Sequence, residues 1–366
     1  MTATTDHLPS PAPGPSAAEP LLDVRGLCVD YLGPGGPETD VRACTDIDFT
    51  LGRGEIFGIA GESGSGKSTL ITALARLQRP PAATTAGRML LHGADGSAVD
   101  LLSLSERELR RLRWDDIAVV LQSAMDALNP VMRLHAQFAD VLREHRKGIK
   151  RDELDARITE LLSMVGITPD RARAYPHELS GGMRQRASIA LALACEPSLV
   201  IMDEPTTAVD VVMQRQIMGQ ILRLRDRIGF AVVLVTHDLS LLLEVADRIA
   251  IMYAGRIVET GAATSLYLSP EHPYTQGLRD SFPPLHAPLQ VLHGIPGTPP
   301  DLKQLPDGCA FAPRCAHTFD RCRTERPLPV LRGSRVTACH LPEAEGTTQP
   351  GHEPPSPDQA AEETTR

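Results

Sequence analysis

Apolar and polar residues alternate from Leu22 to Thr50, and Gly33-Pro34-Gly35-Gly36-Pro37 interrupts the alternation midway. This is the pattern of two antiparallel strands joined by a turn. A continuous apolar run, Ile56 to Ala60, follows and leads straight into glycine-rich sequence; its shortness predicts a buried strand. From Ser68 to Leu77 the spacing becomes helical and ends before Pro80-Pro81. Asp152 to Val165 and Arg184 to Ala194 predict two further helices, the second stopped by Pro197. Leu199 to Met202 and Ala231 to Val235 are short apolar runs of the kind a parallel sheet buries on both faces. The first gives way to Asp203-Glu204 and the second to Thr236-His237-Asp238. Ligands of open α/β sheets collect at that C-terminal edge of the strands, so the pattern predicts an α/β fold with its site built from strand ends.

Composition narrows this picture. With 366 residues and 42% apolar content, the chain has material for one large core and a small second module. Its formal charge of -9 argues against a general nucleic-acid binder, and much of it sits in Leu341 to Arg366, where six acidic residues face one arginine. Residues 1–20 and 342–366 lack apolar periodicity and are expected to be disordered tails. The sequence contains no apolar run long enough to cross a bilayer, and its N-terminus is Pro- and Ala-rich rather than basic then apolar. The chain is therefore expected neither to span a membrane nor to carry a secretory signal. Of its seven cysteines, four fall between Cys309 and Cys339; with no export signal, metal binding or burial is expected ahead of disulfides.

The chemistry begins at Gly61-Glu62-Ser63-Gly64-Ser65-Gly66-Lys67-Ser68-Thr69. Glycines at this spacing let backbone N–H groups face phosphates while the following helix presents its positive end. Lys67 is expected on the β and γ oxygens and Ser68 on Mg²⁺. Asp203, at the end of an apolar strand, is expected to hold Mg²⁺ through water, and Glu204 to act as general base on the attacking water. A hundred residues after the glycine loop stands Ser180-Gly181-Gly182, at the start of a helix: an anion site with no ligand of its own.

In order and spacing these motifs resemble the ATP-binding cassette family over roughly Leu22 to Gly261. The resemblance implies a P-loop ATPase cassette over 21–265, with an antiparallel β subdomain and a helical subdomain at about 123–185. It further implies that Gln122 senses Mg²⁺ and the membrane partner, that His237 is the switch on the γ-phosphate, that Asp210 belongs to the dimer-contact loop, and that Tyr31 stacks on adenine. Ser180, Gly181 and Gly182 would complete the nucleotide pocket of an opposing cassette, so that ATP joins two subunits and hydrolysis releases them.

Gln122 to Arg133, Ser180 to Arg186, Glu271-His272-Pro273-Tyr274-Thr275 and the Cys-rich end together resemble the ATPase subunits of oligopeptide and dipeptide permeases, out to about His340. This branch implies a heterodimer with a second ATPase subunit, two membrane permease subunits, a solute-binding protein reached through them, and a peripheral position on the cytoplasmic face of the membrane. Import of nickel, export of drugs or antimicrobial peptides, and a soluble cassette ATPase acting on ribosomes or DNA are the competing readings. Two sequence details depart from the branch, Ala208-Val209-Asp210 for the usual Ala-Leu-Asp and Gln122-Ser123 for Gln-Asp; neither removes a catalytic group.

Residues 266–341 are expected to form a C-terminal extension. Gly294 to Gly308 is turn-rich and poor in apolar periodicity, and small modules of this kind often need a staple. Cys309, Cys315, Cys322 and Cys339 could hold Zn²⁺ or an iron–sulfur cluster, and their spacing does not choose between these. The permease resemblance favours [4Fe-4S]; His317 and His340 lie nearby in the sequence as substitute ligands. Cys28, Cys44 and Cys195 are read as small buried residues.

Overall fold

A computed structural model describes residues 20–36, 38–121, 128–206, 210–281 and 294–341. Two sheets organise it. Strands β1 (Leu22–Tyr31), β2 (Val41–Leu51), β4 (Ala82–His92) and β5 (Ala98–Asp100) form an antiparallel sheet in the order β2-β1-β4-β5. The predicted hairpin is its β1–β2 pair, with Leu22 opposite Leu51 and Tyr31 opposite Val41.

The larger sheet runs β11-β12-β10-β9-β3-β8-β7-β6. Its parallel part comprises β9 (Arg248–Tyr253), β3 (Ile56–Ala60), β8 (Ala231–Val235), β7 (Leu199–Asp203) and β6 (Ile117–Val120). β10 (Arg256–Ala262), β12 (Arg335–Thr337) and β11 (Val330–Arg332) extend it antiparallel. Residues 330–337, expected in a separate C-terminal extension, thus share the large sheet, with Glu259 opposite Thr337.

Because strand side chains alternate, each apolar run feeds two cores. Leu199, Ile201, Val233, Val235, Phe57 and Ile59 face one core, shared with the antiparallel sheet and helix α1 (Lys67–Leu74). Val200, Met202, Val232, Leu234, Ile56 and Ala60 face the other. That second core is covered by α3 (Leu134–His145), α4 (Arg151–Met164), α5 (Gly181–Ala192), α6 (Val211–Ile228) and α7 (Leu239–Val245). Burial on both faces explains why these strands read as continuous apolar runs. Between β5 and β6 lies α2 (Glu106–Leu112), and the chain closes through α8 (Ala263–Leu268), α9 (Pro273–Asp280) and α10 (Asp320–Thr324).

Two helix limits differ from the sequence pattern. α1 ends at Leu74 rather than Leu77, because Arg76 turns into the left-handed region at φ 52°. α5 begins at Gly181 rather than Arg184, because the Ser180 hydroxyl accepts the Met183 N–H and caps the helix three residues earlier. Among the described residues no helix is long and apolar enough to cross a membrane.

Candidate nucleotide site

Strand order builds the site. β8 lies between β3 and β7, so the loops leaving all three emerge side by side at one edge of the sheet. The loop after β3 is a left-handed path through Gly61, Gly64 and Gly66, at φ 155°, 80° and 102°. At Gly66 a Cβ would also overlap the carbonyl of Ala43 on β2. Only glycine meets both conditions.

Lys67 is 7% exposed, and its Nζ donates to the carbonyls of Gly61 at 2.7 Å and Glu62 at 2.8 Å, with Ser65 Oγ at 3.5 Å. Burial pushes its ammonium below the usual lysine range, while Glu204, Asp203 and Glu62 push it back. Ser63, Gly64 and Ser68 are exposed at the mouth, and Ser65 is buried beneath them. Beside the loop, the Tyr31 hydroxyl meets Thr69 Oγ1 at 3.1 Å with the tyrosine 38% exposed, which leaves its ring open to a ligand.

Asp203 ends β7 and is 6% exposed. Burial and then Glu204 raise its carboxyl above the carboxylate range, with Lys67 and Ser68 pulling it down. Its Oδ1 is buried without a hydrogen-bond partner. A buried carboxylate oxygen lacking a donor costs free energy, and a divalent cation shared with Ser68 would satisfy it. The donor set therefore fits Mg²⁺.

Glu204 has φ 44°, a left-handed backbone that costs a non-glycine residue about 1–2 kcal/mol. Its N–H donates to the Val235 carbonyl at 2.8 Å, which ties the strained turn to the end of β8. The turn aims its Oε1 at His237 Nδ1, 3.1 Å away. The His237 side chain is 68% exposed, over the open mouth of the site. Asp238 caps α7 through the Leu241 N–H, fixing the backbone from which His237 projects.

Ser180, Gly181 and Gly182 lie elsewhere, at the start of α5, where Ser180 is exposed. Among the described residues no hydrogen bond joins Ser180 to Lys67. Gly182 lets the N-terminus of α5 approach Met213 on α6, whose own cap is the exposed Asp210. Gln122, Ala208 and Val209 lie outside the described residues.

The extension reaches the same loop, which the sequence did not disclose. The Arg314 guanidinium makes a two-pronged contact with Glu62, Nη1 to Oε2 at 2.6 Å and Nη2 to Oε1 at 2.9 Å. The Glu62 N–H donates to the Tyr274 hydroxyl at 2.8 Å. Tyr274 packs tilted or edge-on against Tyr253, His272 and Phe311, with centroids 4.6, 6.5 and 5.4 Å away. His272 caps α9 by accepting the Tyr274 N–H at 3.0 Å. The motif Glu271 to Thr275 marked a branch in the sequence; in the fold it supplies this cap and this hydroxyl.

Cys309, Cys315, Cys322 and Cys339 line one cavity together with His272, His317 and His340. Burial pushes the Cys339 thiol up to about 12, and the Cys309, Cys315 and Cys322 sulfurs push the same way. Among the described residues no group of three or more His, Cys, Asp or Glu side chains is arranged to hold a metal ion.

Known proteins resemble this chain along most of its length. Residues 44–207 match the family model for the ABC transporter, and 258–322 match that for the oligopeptide/dipeptide transporter C-terminal region. The oligopeptide transport ATP-binding protein OppD of Salmonella typhimurium is 42% identical over 334 residues, covering 90% of this chain and 96% of that protein. OppD of Escherichia coli is 40% identical over 327 residues, covering 89% and 94%. Among solved structures, the dimeric post-hydrolysis state of the ATP-binding cassette MJ0796 bound to ADP and Pi is 27% identical, with a TM-score of 0.57 over 66% of this chain and 98% of that one. The two matched ranges span the glycine loop, the Asp203-Glu204 strand end and much of the C-terminal region, and with relatives at this identity the chain belongs to the ATP-binding cassette family, in the branch of oligopeptide and dipeptide transport ATPases.

Proposed function

We infer that this chain is the ATP-hydrolysing subunit that energises an importer of dipeptides or oligopeptides, catalysing ATP + H₂O → ADP + phosphate. The observation that carries this reading is the meeting of Lys67, the unpartnered Asp203 oxygen and the Glu204–His237 pair beside the glycine loop, in a chain whose extension matches peptide transporters.

The loop residues Gly61, Ser63, Gly64, Ser65, Gly66, Lys67, Ser68 and Thr69 cradle the phosphates, the Glu62 N–H being held by the Tyr274 hydroxyl, and the Tyr31 ring takes the adenine. Lys67 exchanges its loop carbonyls for β- and γ-phosphate oxygens, its charge being worth more in a buried site than in water. Ser68, Asp203 and Gln122 would hold Mg²⁺, which when bound would neutralise charge on the transferred phosphoryl group. Glu204 takes a proton from the attacking water, and His237 holds the glutamate while reaching the γ-phosphate. Ser180, Gly181 and Gly182 present a capped helix start to the nucleotide of an opposing cassette, and Asp210 lies at that contact.

The partners this implies are a second ATPase subunit, in a heterodimer, and two membrane permease subunits supplied by a solute-binding protein, with this chain on the cytoplasmic face. No nucleic acid takes part. Four thiols around one cavity support an iron–sulfur cluster in the extension. Zn²⁺ at the same four sulfurs is the alternative.

The experiment is co-purification of this chain with candidate membrane permease subunits from the same organism, followed by peptide uptake in vesicles containing the complex. Uptake that needs both ATP and this chain is the expected result; ATP-driven nickel uptake or peptide efflux would overturn the substrate or direction. Anaerobic purification should yield iron and sulfide with visible absorbance, whereas stoichiometric zinc would replace the cluster.

A further inference from the structure

The second residue of the phosphate loop, Glu62, places a carboxylate beside a site built for a polyanion. Its backbone carbonyl already accepts from Lys67 Nζ at 2.8 Å, so its side chain begins within reach of the ammonium that must meet the phosphates. Two unfavourable outcomes stand open to a free Glu62 carboxylate: pairing with Lys67, or facing the triphosphate with its negative charge.

In the structure neither occurs, because the carboxylate is turned away onto Arg314, 252 residues further along the chain. Everything about Arg314 fixes that pose. It is 9% exposed, and its Nε donates to the Pro296 carbonyl at 2.7 Å. Its guanidinium also lies 5.8 Å from the Tyr253 ring centre and 5.9 Å from that of Phe311. The Tyr274 hydroxyl holds the Glu62 N–H from the same side, so the extension grips both ends of this one residue. A two-pronged, largely dehydrated arginine–carboxylate pair of this kind fixes geometry as well as charge.

We propose that Arg314 is a positioning residue for ATP: by holding and neutralising the Glu62 carboxylate it keeps Lys67 free for the phosphates and removes a repulsive charge from the nucleotide site. The extension thereby takes part in nucleotide binding without touching the nucleotide. This rests on the reading of the glycine loop as an ATP site.

The test is a cycle of full-length variants, Arg314→Gln, Glu62→Gln and the double substitution, with ATP and ADP binding measured by calorimetry. Arg314→Ala is the more severe probe; Arg314→Gln retains length and hydrogen-bonding capacity, so it serves where truncation disturbs folding. Arg314→Gln should weaken ATP on the order of ten-fold, the effect of one uncompensated unit charge near the phosphates at an effective dielectric near 20. ADP, with less charge, should be weakened less. Adding Glu62→Gln should restore ATP binding to within about three-fold of wild type, since the offending charge is gone. A purely structural arginine predicts the opposite, a double variant as weak as Arg314→Gln or weaker, and that result overturns the proposal. So does an Arg314→Gln variant with unchanged ATP affinity while the wild type binds normally. A wild-type chain that binds no ATP would overturn the ATP-site reading itself, and this proposal with it.

Discussion

His237 Nδ1 stands 3.1 Å from Glu204 Oε1, and the glutamate reaches it from a backbone held at φ 44°. A strained residue persists only where its surroundings over-determine it, and here the Glu204 N–H bond to Val235 and the short strand β7 do so. Strain and pairing together aim one carboxylate at the open mouth of the site.

Glu204→Gln keeps the shape of that carboxylate and removes its basicity. Phosphate release should fall by about 100-fold or more, the usual range for loss of a general base, while ATP binding survives. His237→Ala should also slow hydrolysis. Combining the two should add little to the loss from Glu204→Gln alone, because both act on one proton transfer. Turnover assays alongside equilibrium ATP binding separate these effects, and a Glu204→Gln variant with normal turnover would remove the glutamate from the role of base.

Lys67 spends its charge on two loop carbonyls until a nucleotide arrives. Lys67→Ala loses those bonds and the later ones to phosphate, each charge-assisted contact being worth about 1.5–3 kcal/mol. ATP affinity measured by calorimetry should drop by about 100-fold or more, with the remainder of the fold intact by circular dichroism. Normal affinity would mean that the loop binds phosphate through its backbone alone.

Much of this site was legible in the chain because its parts are contiguous. A strand, a glycine loop and a helix start occupy neighbouring positions, so Ile56–Ala60 and Lys67 could be placed by pattern. The same holds for β7 with Asp203 and for β8 with His237. What pattern could not show is pairing across distance. Arg314 and Glu62 are 252 residues apart, and an arginine beside a cysteine carries no mark of its partner. β4 escaped for a different reason: much of Ala82–His92 is exposed, so it lacks the clean alternation that a half-buried strand displays. The extension read as a weak module because its apolar residues are scattered; Phe311, Tyr274 and Tyr253 meet only in the fold, where each buried ring contributes about 1.5–3 kcal/mol.

Gly66 carries two constraints at once, a left-handed φ of 102° and contact with the Ala43 carbonyl. Gly66→Ala should therefore destabilise the chain by about 2 kcal/mol or more, combining the backbone penalty with overpacking. The loop would shift to relieve the clash, so ATP binding should be lost as well. Urea denaturation and nucleotide titration measure the two effects; unchanged values in both would show that the loop moves freely at this position.

His272 is a buried cap whose burial lowers its pKa from 6.5 to about 4. In the unfolded chain it protonates near its ordinary value, whereas the folded protein resists protonation until about 4. The sign follows from linkage: the unfolded state binds the extra proton as pH falls below 6.5, so the contribution of neutral His272 is complete above that pH and declines toward 4. Between neutrality and pH 5 the loss should approach about 2 kcal/mol. His272→Asn can still accept the Tyr274 N–H but does not titrate. Urea midpoints compared at pH 7.5 and pH 5 should fall further in the wild type than in this variant, at about 2 kcal/mol of difference in unfolding free energy. Equal losses in both proteins would show that His272 accepts its proton in the folded state as readily as in the unfolded one.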